Sequence, residues 1–385
     1  MNSRQRVLMA FDHREPDRVP IDFGSIVSGI HIKAYKRLLK YLNIQDNCIN
    51  YCDYGQQLAV PCEELLQRFH IDTRYLRPTE SIKPENYIPE RVGEYVGIYD
   101  ALGVFWGNFA YKNLEDILYY DPVIHPLKDL KTTDEIQSYK WPKKEEIPQF
   151  LDLKQTAKRL HENTEFAIST HPLGCVYEYT TFLFGFTTAL RYMRTRPELL
   201  KAAMEHILDY WMNLSTNFLK MLGKYIDIVC VNGDLSEQAG PIMSENLYVS
   251  LIKPFEYKIS KHIHSLAKIK INYHSCGSTP LFIPHFIDIG YDAHNPVQIG
   301  AYDMEPCSLK KRFGDKIVFW GGLCNTQKNL PFGTPEEIRK EVKRNLECFK
   351  PGGGYIAANI HNITAEVPPE NIVAMFDAVY EFGDY

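Results

Sequence analysis

The sequence predicts an α/β fold, a single (β/α)₈ barrel of the TIM type with an N-terminal helical and loop extension. From about residue 160, short β-like runs alternate with longer helical patterns, and polar residues follow almost every predicted strand. This alternation indicates a parallel sheet with helical crossovers, and polar strand ends indicate one site built from many strands. A doubly wound sheet has less support, because no Gly-x-Gly-x-x-Gly follows the first strand.

The elements follow in chain order. A first strand is predicted at Arg18–Asp22, and residues 1–150 are interpreted as the extension, packed on the barrel and covering its mouth, within one domain of residues 1–385. Thr334 and Pro335 predict a helix start, since Thr caps the first turn and Pro suits its first position. Further strands are predicted at 166–170, 225–231, 268–273, 291–294, 316–320 and 355–358, and helices at 197–222, from 244 to about 267, from 334 and from 369.

Composition excludes several classes of function. The net charge is −5 and no dense Lys/Arg run occurs, which argues against nucleic-acid binding. No apolar run of 18 residues and no signal-peptide core is present, so neither a membrane span nor secretion is predicted. The nine cysteines are scattered and odd in number, and we interpret them as reduced, which predicts a cytoplasmic location.

The most informative motif is His274-Ser275-Cys276-Gly277, directly after the β-rich run 269–273. Residues two apart in an extended chain point the same way, so the imidazole and the thiol can converge just past a strand end. A neutral imidazole and a thiolate suit Zn²⁺, and a catalytic zinc needs only three protein ligands and keeps one open position.

Two later strand ends offer a third ligand, His361 and Cys324. Each also has a plain structural interpretation, His361 as a hydrogen-bonded histidine of the barrel layer and Cys324 as a buried thiol. Asp234 and Glu237 follow another strand end, where they are candidates for acid–base catalysis or for capping the next helix. A bound zinc would lower the pKa of a thiol or stabilise a leaving oxygen, and either effect serves methyl transfer.

The chain resembles the uroporphyrinogen decarboxylase superfamily, and more closely its zinc-dependent methyltransferases that work with corrinoid (cobamide) proteins. The resemblance implies a single distorted (β/α)₈ barrel, zinc as cofactor, a corrinoid carried by a partner protein, and, by analogy, a homodimer. The matching stretches lie at 14–22, 240–244, 274–277, 295–298, 330–337, 352–355 and 367–371.

The resemblance also places the ligands and shows two departures. In the thiol-methylating branch the zinc ligands follow a His-x-Cys…Cys pattern; His274 and Cys276 match it, but the third position falls on His361, with Cys324 as a fourth or exchangeable ligand. The decarboxylase branch carries an Arg-rich signature after the first strand, and this chain has Asp22-Phe-Gly-Ser there instead. Asp53 resembles the decarboxylase aspartate that holds the pyrrole N–H groups.

The sequence therefore predicts a zinc-dependent methyltransferase that moves a methyl group between a small methylated substrate, such as a methoxylated aromatic, and a cobamide protein or other acceptor. Tyr177, Tyr179, Trp106 and Asn295 are expected to line the substrate pocket. The alternatives are a metal-independent decarboxylase that acts on another acid through Asp53, and a non-enzymatic corrinoid-protein chaperone with a degenerate metal site.

Overall fold

The computed structural model describes residues 1–77, 89–111 and 116–385. The parts of the predicted extension at 78–88 and 112–115 lie outside these described residues. The helices are α1 Ser3–Phe11, α2 Ile32–Leu42, α3 Glu63–Arg68, α4 Thr133–Gln137, α5 Leu153–Asn163, α6 Tyr177–Phe184, α7 Phe186–Thr195, α8 Pro197–Leu222, α9 Glu245–Leu247, α10 Lys253–Leu266, α11 Ile283–Ile289, α12 Pro306–Phe313, α13 Asn329–Phe332, α14 Pro335–Phe349 and α15 Pro369–Phe382.

The strands form one large sheet and three small ones. Their bounds are β1 Tyr51–Asp53, β2 Leu58–Ala59, β3 Thr73–Leu76, β4 Glu90–Val92, β5 Tyr95–Tyr99, β6 Phe105–Phe109, β7 Asp121–Ile124, β8 Ala167–Pro172, β9 Ile228–Asn232, β10 Ser236–Glu237, β11 Gly240–Pro241, β12 Lys270–His274, β13 Ala293–Asn295, β14 Val318–Trp320 and β15 Tyr355–Ile356.

The large sheet is the predicted barrel. Its order is β15-β14-β13-β12-β9-β8-β3, and the neighbouring strands are parallel. Residues 19–22 close it: Ile21 bridges Ala357 in parallel next to β15, and the Asp72 amide beside β3 donates to the Ile21 carbonyl. The first strand expected at Arg18–Asp22 therefore lies at the eighth position of the barrel.

Asp22 fixes this closure. Its fully buried carboxylate accepts hydrogen bonds from Thr73 and Tyr75 on β3, from Ser28, and from the indole of Trp320 on β14. A buried carboxylate needs such donors, because desolvation disfavours the charged form. Four donors from three parts of the chain thus tie the first strand to strands on either side of the barrel.

The opposite, N-terminal end of the barrel is filled by apolar side chains and plugged by α1. Phe11 on α1 packs edge-to-face on Trp320, with ring centroids 6.1 Å apart. The cluster inside the barrel also contains small and branched residues of several strands, among them Ala167, Ile228 and Ala293, all fully buried. Since this end is filled, the polar site lies at the C-terminal ends of the strands.

Helix starts follow the sequence signals. α14 begins after Thr334, whose hydroxyl accepts from the Glu337 amide while the Glu337 carboxylate accepts from the Thr334 amide. The helix predicted from Ser244 is in three pieces, α9, a π-helical turn at Tyr248–Ile252 and α10. Two further short 3₁₀ turns lie at Lys144–Glu146 and Gly223–Tyr225.

The sequence predicts helices and loops in the extension, with irregular β or loop at 97–112, and the structure has regular strands there in part. The extension contains an antiparallel sheet of β4, β5, β6 and β7. Its residues pack on the chain after β8. The ring centroids of Trp106 and Phe182 are 4.9 Å apart, and Nδ1 of His125 forms a hydrogen bond with the Phe182 carbonyl at 2.6 Å.

The cysteine interpretation needs a correction for two residues. Cys307 at the start of α12 and Cys348 near the end of α14 form a disulfide, with Cα atoms 4.7 Å apart. The other seven are free. Within the described chain, no helix combines enough length with enough apolar character to cross a membrane.

Candidate metal centre and cavity

Three predicted ligands meet at the C-terminal end of the barrel. The ligand atoms of His274, Cys276 and His361 all lie within 4.8 Å of one another. His274 is the last residue of β12, and its Nε2 is 3.5 Å from the Cys276 sulfur. His361 enters from the loop after β15, and its ring centroid is 5.4 Å from that of His274. Two imidazoles and one thiol this close together are ligands of the kind that zinc binds.

The orientation of His274 is fixed by its neighbours. Its Nδ1 is 2.6 Å from Oδ1 of Asn295, and Nδ2 of Asn295 donates to the Trp320 carbonyl at 3.1 Å. Because the amide nitrogen is committed to Trp320, Oδ1 must accept a hydrogen bond from Nδ1–H. The lone pair of His274 Nε2 then faces Cys276, which is how ligating histidines are usually held.

His361 is held differently. It has a left-handed backbone, with φ of 56°, and its Nδ1 accepts a hydrogen bond from the Asn362 amide at 2.8 Å. In the neutral ring the proton then lies on Nε2. Binding a metal through Nε2 requires the other tautomer and costs this contact, so His361 is the ligand that must rearrange.

The protonation states suit a metal only in part. Burial lowers the pKa of His274 to about 4, and burial together with the His274 charge lowers that of His361 to about 4, so both rings are neutral at pH 7. Burial, followed by the charge of Asp234, raises the pKa of the Cys276 thiol well above its usual value. The thiolate therefore needs a cation beside it.

Asp234 supports the loop that carries Cys276. Its Oδ1 accepts from the Cys276 amide at 2.8 Å and lies 4.0 Å from Nε2 of His274. The Gly277 amide donates to Oε1 of Gln298 at 2.7 Å, and the Ser278 amide donates to the Glu237 carbonyl in the β10–β11 hairpin. The motif is thus held from three sides before any ligand binds.

A cavity of about 450 Å³ opens above this cluster. It is bounded by Cys276 and His361, by the side chains of Phe182 and Phe186, and by Ile242. Three carboxyl groups also line it, and no Lys or Arg of the described chain does; the acids are Glu178, Asp234 and Glu237. A volume of this size lies in the range of small-molecule sites.

Glu178 is the residue that sequence reasoning missed. It lies in the first turn of α6, and its Oε2 accepts a weak hydrogen bond from the Cys175 thiol at 3.2 Å. Burial, and then the charge of Asp234, raises its pKa to about 8. The signal in the sequence is a single charged residue in the run 176–184, shortly after a strand end.

Several predicted residues lie away from the ligands. The Cys324 thiol donates to Glu341 at 3.1 Å and is outside the cluster. Asp53 does not line the cavity; its Oδ1 accepts from the Gln56 amide at 2.6 Å and caps the turn after β1, and burial raises its pKa. The structure therefore brings His361, and not Cys324, to the His274–Cys276 pair.

The expected pocket residues lie behind the cavity wall. Asn295 contacts His274 rather than the cavity. Trp106 packs on Phe182, and its indole donates to Asp100 at 2.8 Å. Tyr179 packs against Phe182 and Trp211, and Tyr177 is buried. These side chains support the wall, while Phe182 and Phe186 themselves face the cavity.

Comparison with known proteins gives the family and the fold. Residues 120–382 match the sequence model of uroporphyrinogen decarboxylase (URO-D). Curated relatives include the uroporphyrinogen decarboxylases of Pseudoalteromonas translucida, 42% identical over 74 residues (19% of this chain and 20% of the relative), and of Herminiimonas arsenicoxydans, 26% identical over 210 residues (51% and 52%). The chain thus spans about half, or less, of the length of these relatives.

A solved structure of a methyltransferase from Methanosarcina mazei superposes with a TM-score of 0.60. It covers 99% of both chains at 15% sequence identity. At this identity the likeness establishes the fold and leaves the reaction to be argued from the site.

Proposed function

This chain belongs to the uroporphyrinogen decarboxylase family, and within it we propose a zinc-dependent methyltransferase of a corrinoid-dependent system. The observation that carries the proposal is the convergence of His274, Cys276 and His361 beneath a cavity of small-molecule size. Three protein ligands with an open side toward a cavity are the arrangement of a catalytic zinc rather than of a structural one.

Each group has a part in this proposal. Zinc, when bound, supplies Lewis acidity to a substrate oxygen or sulfur, and a corrinoid on a partner protein supplies the cobalt that exchanges the methyl group. Asn295 keeps the Nε2 lone pair of His274 turned toward the metal position. Asp234 holds the Cys276 amide and so places the sulfur.

The proton that a leaving alkoxide needs has a source in the cavity. Glu178 has a pKa of about 8 and is therefore mainly protonated at pH 7. Its Oε2 is occupied by the Cys175 thiol, so Oε1 is the atom that holds the proton. Glu237, at the tip of the β10–β11 hairpin, lines the same cavity and is the second candidate for moving a proton.

Decarboxylation is the alternative, since the curated relatives carry that name. A decarboxylase must hold an anionic substrate, and paired guanidinium groups are the usual means. No Arg or Lys of the described residues lines this cavity, and Asp53 caps a turn outside it. Both observations favour methyl transfer.

The test is a direct comparison of the two reactions. Zinc-loaded wild type is expected to methylate free, reduced cobalamin from one or more methoxylated aromatics, which changes the cobalamin absorption spectrum. Cys276→Ala should lose this activity by about 100-fold or more, while Cys48→Ala, at an exposed cysteine, should keep it. Release of CO₂ from organic acids, abolished by Asp53→Asn and without any cobalamin methylation, would replace the proposal with the decarboxylase.

A further inference from the structure

The charges of the cavity define the molecule that it accepts. Glu178, Asp234 and Glu237 all line the cavity, and none of them forms an ion pair with a Lys or Arg of the described residues. Glu178 accepts a weak hydrogen bond from the Cys175 thiol, and Asp234 accepts one from the Cys276 amide. Glu178 is mainly protonated at pH 7. Even with a zinc ion and a Cys276 thiolate in place, the carboxylates of Asp234 and Glu237 would leave the cavity with a negative charge.

A second observation points to a missing ligand. Ser236, in the β10 strand between Asp234 and Glu237, lines the same cavity and is 5% exposed. Its hydroxyl oxygen has no hydrogen-bond partner among the described residues. A buried hydroxyl without a partner is costly, so the geometry leaves it for a donor or acceptor on a bound molecule.

The aromatic side chains complete the wall. Phe182 and Phe186 lie on the α6–α7 side of the cavity, and Phe186 is 46% exposed at its rim. Aromatic faces next to carboxylates form an environment that attracts organic cations, through cation–π contact and through charge. The same walls repel a carboxylate, which would have no cationic partner here.

We infer that the substrate of this site is cationic, a methyl ether or thiol that bears an ammonium group, and not an aromatic carboxylate. The inference rests on the proposed function for the oxygen or sulfur that would meet the metal. It adds a second group of the molecule: the ammonium group would lie beside the Glu237 carboxylate and the Ser236 hydroxyl.

Three probes of similar size differ mainly in charge: 4-methoxybenzylamine, 4-methoxybenzyl alcohol and 4-methoxybenzoate. Their dissociation constants are measured by calorimetry at pH 7 on zinc-loaded protein and on chelator-treated protein. The amine is expected to bind at least about tenfold more tightly than the carboxylate, a difference of about 1.4 kcal/mol. The neutral alcohol should lie between them.

Matched variants test whether the preference for the amine arises from the acidic residues of the cavity. Glu237→Gln keeps the shape and removes one charge, and should bring the amine and carboxylate within about threefold of each other. Glu205→Gln, on the exposed side of α8, should keep the wild-type ranking. A carboxylate that binds as tightly as the amine, or an amine that does not bind in either form of the protein, would overturn the inference.

The two proposals fail separately in this experiment. Loss of zinc binding removes the proposed reaction, but the charge ranking is still measured on the chelator-treated protein. A zinc-loaded protein with no preference for the amine overturns the inference and leaves the metal centre standing.

Discussion

His274 shows how one side chain is prepared for a metal by two others. The Trp320 carbonyl fixes the amide of Asn295, and Asn295 fixes the tautomer of His274. All three residues are at most 3% exposed, so water does not compete for these hydrogen bonds. The arrangement is a property of the strand ends of β12, β13 and β14 and needs no ion to form.

Removing Asn295 should therefore weaken metal binding without touching a ligand. Asn295→Ala is expected to lower zinc affinity by about 10- to 100-fold, the usual effect of losing such a partner. Zinc affinity is measured by competition with a chromogenic chelator. Asn345→Ala is the matched control, since Asn345 is equally buried but donates to the carbonyls of Gly322 and Leu323; equal losses in both variants would contradict the account.

A substitution at His361 should strengthen zinc binding. It must give up the Asn362 contact to bind through Nε2, and it brings no charge. His361→Cys provides a thiolate at this position, so zinc is expected to bind more tightly, by about tenfold or more in the same competition assay. An unchanged or weaker affinity would show that this position does not contact the metal.

The sequence predicted these residues to different extents. His274, Cys276 and His361 were predicted as ligands because strand ends have a simple period and meet at one edge of a parallel sheet. Asn295 was expected in the substrate pocket and contacts His274 instead. Cys324 follows a strand end too, but its side chain turns outward to Glu341, and no short-range pattern encodes that direction. Glu178 was missed because its position depends on how α6 returns across the barrel mouth.

The motif loop depends on one glycine. Gly277 has φ of +85°, and a Cβ there would lie 2.6 Å from the carbonyl carbon and oxygen of Ser236 and 2.7 Å from the Glu237 oxygen. Since all of these are backbone atoms of the β10–β11 hairpin, the clash cannot be relieved by a rotamer change. The loop and the hairpin must approach this closely for the Ser278 amide to reach the Glu237 carbonyl.

Gly277→Ala is expected to separate the hairpin from the loop, with a loss of more than about 2 kcal/mol in the free energy of unfolding and loss of zinc binding. Denaturant unfolding and the chelator assay measure the two effects. Gly352→Ala serves as control, because Gly352 also has a left-handed φ of +77° but no atom within 4 Å of its would-be Cβ. It should cost about 1 kcal/mol and keep zinc.

Among the helices and strands, those with strong local sequence signals were predicted, and those formed by contacts between distant residues were not. α8 has the predicted bounds, and α14 and α15 begin where their capping and proline signals place them. The extension sheet was predicted only as irregular β or loop, because its short strands, rich in Tyr and Gly, have no clear alternation. The Cys307–Cys348 pair depends on the packing of α12 against α14, across 41 residues of sequence.

The whole molecule closes through a contact between its two ends. Residues 19–22 pair with residues next to β15, more than 330 positions away, and Asp22 secures the junction. The sequence predicted the barrel because its repeating strand–helix pattern needs a closed parallel sheet to bury both faces. Its register could not be predicted, since no local signal selects the partner of residue 21.

The stability of the molecule should depend on one buried acid behind the site. Glu256 is buried and accepts hydrogen bonds from Tyr248 and Tyr273, and burial raises its pKa to about 7. In the unfolded chain the group loses its proton near pH 4.5. The folded state keeps the proton longer, so stability should fall as the pH rises from about 4.5 to about 7 and should then level off.

Glu256→Gln removes this titration. Its amide can donate to Tyr273, whose own hydroxyl then donates to the Gly233 carbonyl, 3.1 Å away in the wild type. Relative to wild type, the variant is expected to lose less stability between pH 4.5 and 7, by up to about 3 kcal/mol. Thermal unfolding over this range measures the slopes, with Glu205→Gln as exposed control. Identical slopes for wild type and Glu256→Gln would refute the assignment.

The central claim is the metal centre, and the zinc content of protein purified without chelators tests it most directly. Elemental analysis should give about one zinc per chain in the wild type and almost none in Cys276→Ala. Cys324→Ala should keep its zinc, because the Cys324 thiol bonds to Glu341 outside the cluster. Wild-type protein that holds no zinc even after zinc is supplied, or Cys276→Ala that retains it, would contradict the account.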